Sequence, residues 1–429
     1  MQNNFPNKKI VAFMMFYRLL WFVLMPLALI YLKRRSSKEP MYFEFLSERF
    51  GFGPSRSGEW IWVHAVSLGE FRSAIPLIDE LVSRGEQVVI THFTPAGRAA
   101  STEYYSNEIA AGQIVVRWVP FDYRLAFNRF FARFSIKYAL VMEVEFWPGM
   151  ILAAHKSGVP LYLCNGQYPH KSYERDKNRW FSARDIVPGF AGVMVKSRRM
   201  AIPFQDLGLP KIAITGEMRF EQPINQAQID AALRFRSGFA DRPIVTFASA
   251  VKDEDQIFIK AISDLKMRNQ NAMIVYVPRK PEHFETAAHL LQAAGLRVQR
   301  RSAILDVALK AQVSVDCDVL LGDSLGEMHF YLALADQVVV GGGFAPQGSH
   351  NILEPLSQGK PTIVGPNIWT IDFPAVEAIE ARVVRQVESD QLGEALLDLS
   401  AFASADAFMA VMQGSVEKTI AAVSEFNTG

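Results

Sequence analysis

The chain has 429 residues, half of them hydrophobic, which is more than one ordinary core holds and leads to an expectation of two domains. Its 45 basic and 44 acidic side chains leave a net charge of +1, so no bulk field directs it to nucleic acid and a charged substrate has to be gripped locally. Cys164 and Cys317 are the only cysteines; far apart and set in apolar runs, they offer neither a disulfide framework nor a metal-ligand spacing, and they fit a reducing compartment.

The first element in chain order is apolar. Ile10 to Leu32 is broken only by Arg18 and Pro26, and it is flanked by Lys8 and Lys9 before and by Lys33, Arg34, Arg35 and Lys38 after. The run is long enough to cross a bilayer, too long for the core of a signal peptide, and lacks a small-x-small cleavage site. Residues 1–38 therefore read as a membrane anchor with a basic flank. The heavier basic cluster follows the run, which places the rest of the chain in the cytoplasm, at an inner membrane. A spanning helix and a helix lying in the interface with Arg18 snorkelling both satisfy the pattern.

Short apolar runs then alternate with helix-period segments: WIWVH, QVVITH, IVVRWV, YALVME, PLYLCN, GVMVKS and IAIT. Such alternation predicts a parallel sheet covered on both faces. The stretch 221–243 carries no strand signal and ends in a charged turn with proline, so the domain junction falls there, dividing 39–225 from 226–429. The rhythm restarts with IVTFAS, MIVYVP, LRVQRR, DVLLGD, QVVVGG and PTIVG. Two Rossmann-like doubly wound α/β domains bind ligands in a cleft at the C-terminal ends of their strands.

Four stretches carry chemistry. In WIWVHAVSLGE, residues 60–70, a strand breaks at Ser67 to Gly69 and a helix begins, with Glu70 in its first turn. A first-turn acid complements the helix dipole, worth under about 1 kcal/mol. The alternative is a carboxylate kept ionised by the helix N-terminus and aimed at the ligand, able to take a proton from a hydroxyl. In ALVMEVEFWPGMI, Glu143 and Glu145 end an apolar strand two residues apart, on one side; a structural ion pair with an arginine accounts equally well for Glu145. LLGDSLGEM, 320–328, offers Gly326 and backbone N–H groups at a helix start, a place for phosphate but a common pattern. VVVGGGFAPQGSHNILEP, 338–355, is more specific: glycines that admit a ligand close to backbone, a helix opened by Asn351, and Glu354 placed to hold two ribose hydroxyls. No G-K-[ST] follows the glycines and no G-x-G-x-x-G follows the first strand, so neither a Walker loop nor a dinucleotide cofactor is expected.

HAVSLGE, MEVEFWP, GDSLGEM and GGGFAPQGSHNILEP, in this order and at these separations, resemble the bacterial 3-deoxy-D-manno-octulosonic acid (Kdo) transferases over almost the whole chain. The resemblance implies the GT-B architecture and inverting transfer of Kdo from CMP-Kdo to a lipid A precursor, with no metal or other cofactor. It implies Glu70 as general base, Glu143 and Arg219 (in TGEMRFEQ) as a pair supporting the transition state, and Arg279 and Lys280 (in VPRKPEHF) as donor-binding cations. Gly326, Glu327, Met328, Asn351, Ile352, Leu353 and Glu354 become the CMP-binding set. Family members usually read N-A-R-L-S where this chain has Asn165-Gly166-Gln167-Tyr168-Pro169, S-T-H where it has Ser249-Ala250-Val251, and P-R-H-P where Lys280 stands; Arg219 replaces a lysine. Two other readings keep the motifs: a transferase of a related CMP-ulosonic acid to a different acceptor, and a paralogue that binds nucleotide or lipid without turnover.

Overall fold

A computed structural model describes residues 5–239 and 242–428. They form two compact units, one of Met1–Gln222 with Met412–Gly429 and one of Pro223–Val411. The first holds strands β1 (Glu59–His64), β2 (Gln87–His92), β3 (Ile114–Trp118), β4 (Ser135–Met142), β5 (Leu161–Gly166), β6 (Gly192–Val195) and β7 (Ile212–Ile214). The second holds β8 (Ile244–Ala250), β9 (Met273–Pro278), β10 (Val298–Arg300), β11 (Val319–Leu321), β12 (Gln337–Val340), β13 (Thr362–Val364) and β14 (Val384–Gln386). Every pairing between these strands is parallel, in the orders β3-β2-β1-β4-β5-β6-β7 and β10-β11-β9-β8-β12-β13-β14. The expected strands are all present. The fourteenth, β14, escapes the sequence reading because it is three residues at a sheet edge, carrying Arg385 and Gln386 where an apolar run would announce it.

Central strands such as β1 and β4 read as unbroken apolar runs because helices cover both faces, and Trp60, Trp62, Ala139 and Val141 pack one core while Ile61, Val63 and Leu140 pack the other. In both sheets the strand order reverses beside the first strand, between β1 and β4 and between β8 and β12. Loops leaving the carboxyl ends there have room for a ligand.

Two boundaries depart from the sequence division. The junction lies between Gln222 and Pro223, and the stretch that lacked a strand signal contains the helix Gln226–Arg236, whose Phe235 meets Phe330 of the second unit at 5.8 Å between ring centroids. At the other end, Met412–Gly429 leaves the second unit. The helix Ser415–Thr428 buries Val416, Ala422 and Val423 in the first core, and Asn427 accepts from the Tyr162 hydroxyl at 2.6 Å. Its apolar face finds a partner only on the first sheet, which no local pattern announces.

The apolar N-terminal run is one helix, Lys8–Ser36, long and apolar enough to cross a membrane. One side of it packs on the first unit along its length. Lys9 pairs with Asp185 at 2.7 Å, Phe13 stacks on Phe181, the Tyr17 hydroxyl donates to Asp122 at 2.7 Å, and Leu32 packs with Tyr42 and Phe121. Met15, Phe16, Phe22, Val23 and Leu27 on the other side are exposed.

Candidate functional site

In the first unit, the site grows from loops at the carboxyl ends of adjacent strands. After β1, Ser67 caps the helix Leu68–Ser83: its hydroxyl accepts from the Glu70 N–H at 3.4 Å, and the Glu70 carboxylate accepts from the Ser67 N–H at 2.8 Å. This capping box gives Ser67 a structural role that the sequence reading left open. Glu70 does not keep the ordinary carboxylate titration that a helix N-terminus was expected to secure. Burial and the neighbouring Glu145, with a smaller contribution from Glu143, push it up to about 8, outweighing the backbone donors.

β4 ends at Met142, so Glu143 and Glu145 lie in the turn that follows and strand alternation does not orient them. What directs Glu143 is a left-handed backbone, φ 60°. Its N–H donates to the Cys164 carbonyl at 2.9 Å. Such a conformation in a non-glycine residue costs about 1–3 kcal/mol and persists where surroundings impose it. Asn165, at the end of β5, is held the same way, φ 52°. Glu145 takes the Trp147 indole N–H at 2.5 Å rather than an arginine, and burial raises its pKa.

Arg219 follows β7. Its guanidinium donates to Glu217 at 2.9 Å, its field reaches Glu143, and its Nε is buried without a hydrogen-bond partner. Glu217 is fully buried and accepts also from Asn165 Nδ2 at 2.7 Å, with Lys196 Nζ at 3.0 Å. Burial alone would raise the Glu217 pKa, but Lys196 and Arg219 hold it far below the carboxylate range. Sequence reasoning passed over Glu217 and Lys196; the signal was a lone acid and a lone lysine, each just past an apolar strand.

In the second unit, Arg279 and Lys280 leave the end of β9 and are exposed, with Arg279 close enough to His350 to depress its pKa, secondary to burial. Gly326, φ 78°, precedes the seven-residue helix Met328–Leu334, and open space lies above it. The Glu327 carboxylate is engaged by Arg301 at 2.5 Å and by the Ser324 hydroxyl. After β12 the glycine run serves the chain itself. A side chain on Gly341 would meet the Ser249 carbonyl at 2.5 Å, and one on Gly342 the Gly348 carbonyl at 2.4 Å. Two of its N–H groups, those of Gly342 and Phe344, donate to the buried Glu254 at 2.8 and 2.9 Å. The close approach expected for a ligand is thus a backbone-to-backbone approach around a carboxylate. Asn351 accepts from the Leu353 N–H at 2.9 Å, and with Ile352 it leads into the short helix Leu353–Ser357. Glu354 is part-exposed and its carboxylate has no hydrogen-bond partner among the described residues.

Glu70 and Glu143 therefore meet at one sheet's reversal point, with Arg219, beyond the edge strand β7, near enough for its charge to act on Glu143, and the glycine turn, Asn351 and Glu354 follow β12 at the other's. Two parallel seven-stranded α/β units with their polar residues at the strand ends form the GT-B architecture. Solved structures share the fold at 11% identity: UDP-GlcNAc 2-epimerase from Neisseria meningitidis (TM-score 0.55, 86% of this chain and 100% of that one) and MurG from Acinetobacter baumannii (TM-score 0.53, 86% and 100%). Residues 44–222 match the family model of 3-deoxy-D-manno-octulosonic-acid transferases (kdotransferases). The 3-deoxy-D-manno-octulosonic acid transferase of Bordetella pertussis is 35% identical over 366 residues, 83% of this chain and 84% of its own, and that of Haemophilus influenzae 28% identical over 389 residues, 89% and 88%. The chain belongs to the 3-deoxy-D-manno-octulosonic acid transferase family.

Proposed function

We propose that this protein transfers Kdo from CMP-Kdo to a lipid A precursor, inverting the anomeric centre without a metal, at the cytoplasmic face of the inner membrane. The observation that carries this reading is the carboxylate cluster of Glu70, Glu143 and Glu145 at the reversal point of the first sheet, in a member of this family. An acceptor hydroxyl bonds to the anomeric carbon as the bond to the CMP phosphate breaks. CMP leaves with the electron pair, and Glu70 takes the hydroxyl proton. A base with a pKa near 8 accepts that proton more readily than an ordinary carboxylate does. Arg219, anchored on Glu217 and facing Glu143, supports the charge that develops during transfer.

The second unit holds the donor. Arg279 and Lys280 meet its anionic groups, Gly326, Glu327 and Met328 present backbone to the nucleotide, Asn351, Ile352 and Leu353 shape the turn beside it, and Glu354 takes the ribose hydroxyls. With Glu327 occupied by Arg301, its contribution is through main chain and not through its carboxylate. The apolar helix attaches the enzyme lying in the interface, since a helix that crosses about 30 Å of hydrocarbon cannot also pack on a water-soluble unit from Lys9 to Leu32.

Purified enzyme given labelled CMP-Kdo and the lipid A precursor is expected to yield a lipid heavier by a Kdo residue in mass spectrometry. A folded, CMP-binding preparation that produces no heavier lipid would overturn the reading.

A further inference from the structure

Between the N-terminal helix and the carboxylate site lies a cavity of about 300 Å³. Tyr17 and Trp21 of the helix form one wall, and Phe93, Phe146 and Trp147 another. Tyr17 spends its hydroxyl on Asp122, which also lines the cavity, and apart from Asp122 and Pro148 the lining is aromatic. A shallow groove of about 420 Å³ on the helix itself shares the same two rings and runs past Leu20, Leu24 and Leu27 to Tyr31. Leu24 and Leu27 are exposed there. At the inner end, the Trp147 indole bonds Glu145, and Glu145 lies beside Glu70. Apolar surface thus runs from the exposed side of the helix to Trp147, one hydrogen bond from the carboxylates. On the other side of Trp21, Arg18 and Arg124 rim a second cavity of about 920 Å³, and neither has an ion-pair partner among the described residues.

We infer that this path is an acyl-chain groove: it seats a fatty chain of an anionic, acylated acceptor and leads the attached sugar to Glu70. Three features select that occupant. The groove is continuous with the exposed apolar face of the helix, which only a hydrocarbon phase satisfies. Its inner wall is Trp147, whose indole holds Glu145 beside Glu70. Its neighbouring cations complement an acidic lipid head. The inference rests on the acceptor being lipid-linked, as proposed above.

The test compares an acylated acceptor, dispersed in detergent, with its deacylated head group. Trp21→Ala is expected to lower the ratio of kcat/KM for acylated over deacylated acceptor at least tenfold, through KM for the acylated form. An unchanged ratio overturns the groove. Wild-type enzyme that transfers to neither acceptor overturns instead the function on which the groove rests. A detergent-resistant dimer lost in Trp21→Ala with an unchanged ratio means that a second copy covers the rings, which also overturns it. Should Trp21→Ala fail to fold, wild-type enzyme is irradiated with an acceptor carrying a diazirine in its acyl chain. Label in the peptides holding Tyr17 to Trp21 and Phe146 to Trp147 supports the groove; label confined elsewhere overturns it.

Discussion

Glu70 has two duties that pull on its proton in opposite directions. Its capping bond with Ser67 favours the anion, while burial and Glu145 favour the acid and prevail, at about 8. Glu70→Gln keeps an oxygen for the Ser67 N–H and removes the base, so transfer should fall by about 10²–10⁴-fold with CMP binding intact by calorimetry. In the wild type, kcat/KM for the acceptor should rise with pH through about 8, and Glu145→Gln, which removes the nearest negative charge, should shift that rise to lower pH. The same shift has a sign in stability. Because the folded pKa lies above the ordinary 4.5, the wild type loses stability as pH rises from about 4.5 through about 8. Thermal melts of Glu70→Gln should therefore match the wild type at the acid end and exceed it above pH 8.

Glu217 behaves oppositely, since its cations hold its pKa below the ordinary value. Its contribution is present above pH 4.5 and is lost as pH falls below it. Glu217→Gln takes a buried counter-charge from Lys196 and Arg219, a loss of about 3–5 kcal/mol by urea unfolding at pH 7.

At the scale of elements, the glycine turn after β12 separates architecture from binding. Gly342 has φ 89°, and a methyl there would meet the Gly348 carbonyl at 2.4 Å, so Gly342→Ala should distort the turn and lower both the melting temperature and CMP affinity. Glu354 sits on the adjoining short helix with no hydrogen bond to lose. Glu354→Ala should weaken CMP binding in calorimetry and leave the melting temperature unchanged; unaltered affinity would make the carboxylate a bystander. A drop in stability with Glu354→Ala would mark it as structural.

For the whole molecule, the N-terminal helix carries an exposed apolar side and is also a piece of the first core. Deleting residues 1–38 should therefore lower the melting temperature, because the surface that covers Ile10 and Met14 is laid open to water. Charges placed on the opposite side separate the two roles. Met15→Asp with Phe22→Asp, both at exposed positions, should abolish flotation with anionic vesicles while the melting temperature holds.

Thirteen of the fourteen strands among the described residues were legible because a parallel sheet covered on both faces leaves unbroken apolar runs, and the positions of Glu70, Glu143 and Glu354 after those strands follow from chain order, whereas only the family resemblance singled out Arg219. The missed strand and the displaced helix Ser415–Thr428 belong to edges and surfaces, where a short or amphipathic segment is stabilised by a partner distant in sequence. The sequence by itself determined the strands, the apolar helix and the polar residues at the strand ends, because local periodicity and motif spacing encode them. Tertiary structure alone decided that Glu70 holds its proton to about 8, that Glu217, shared with Lys196, anchors Arg219, that the glycines admit backbone, and that the apolar helix lies against the first unit. Each of these is set by which groups meet across the fold and how much water remains between them, and neither is written in the order of the residues.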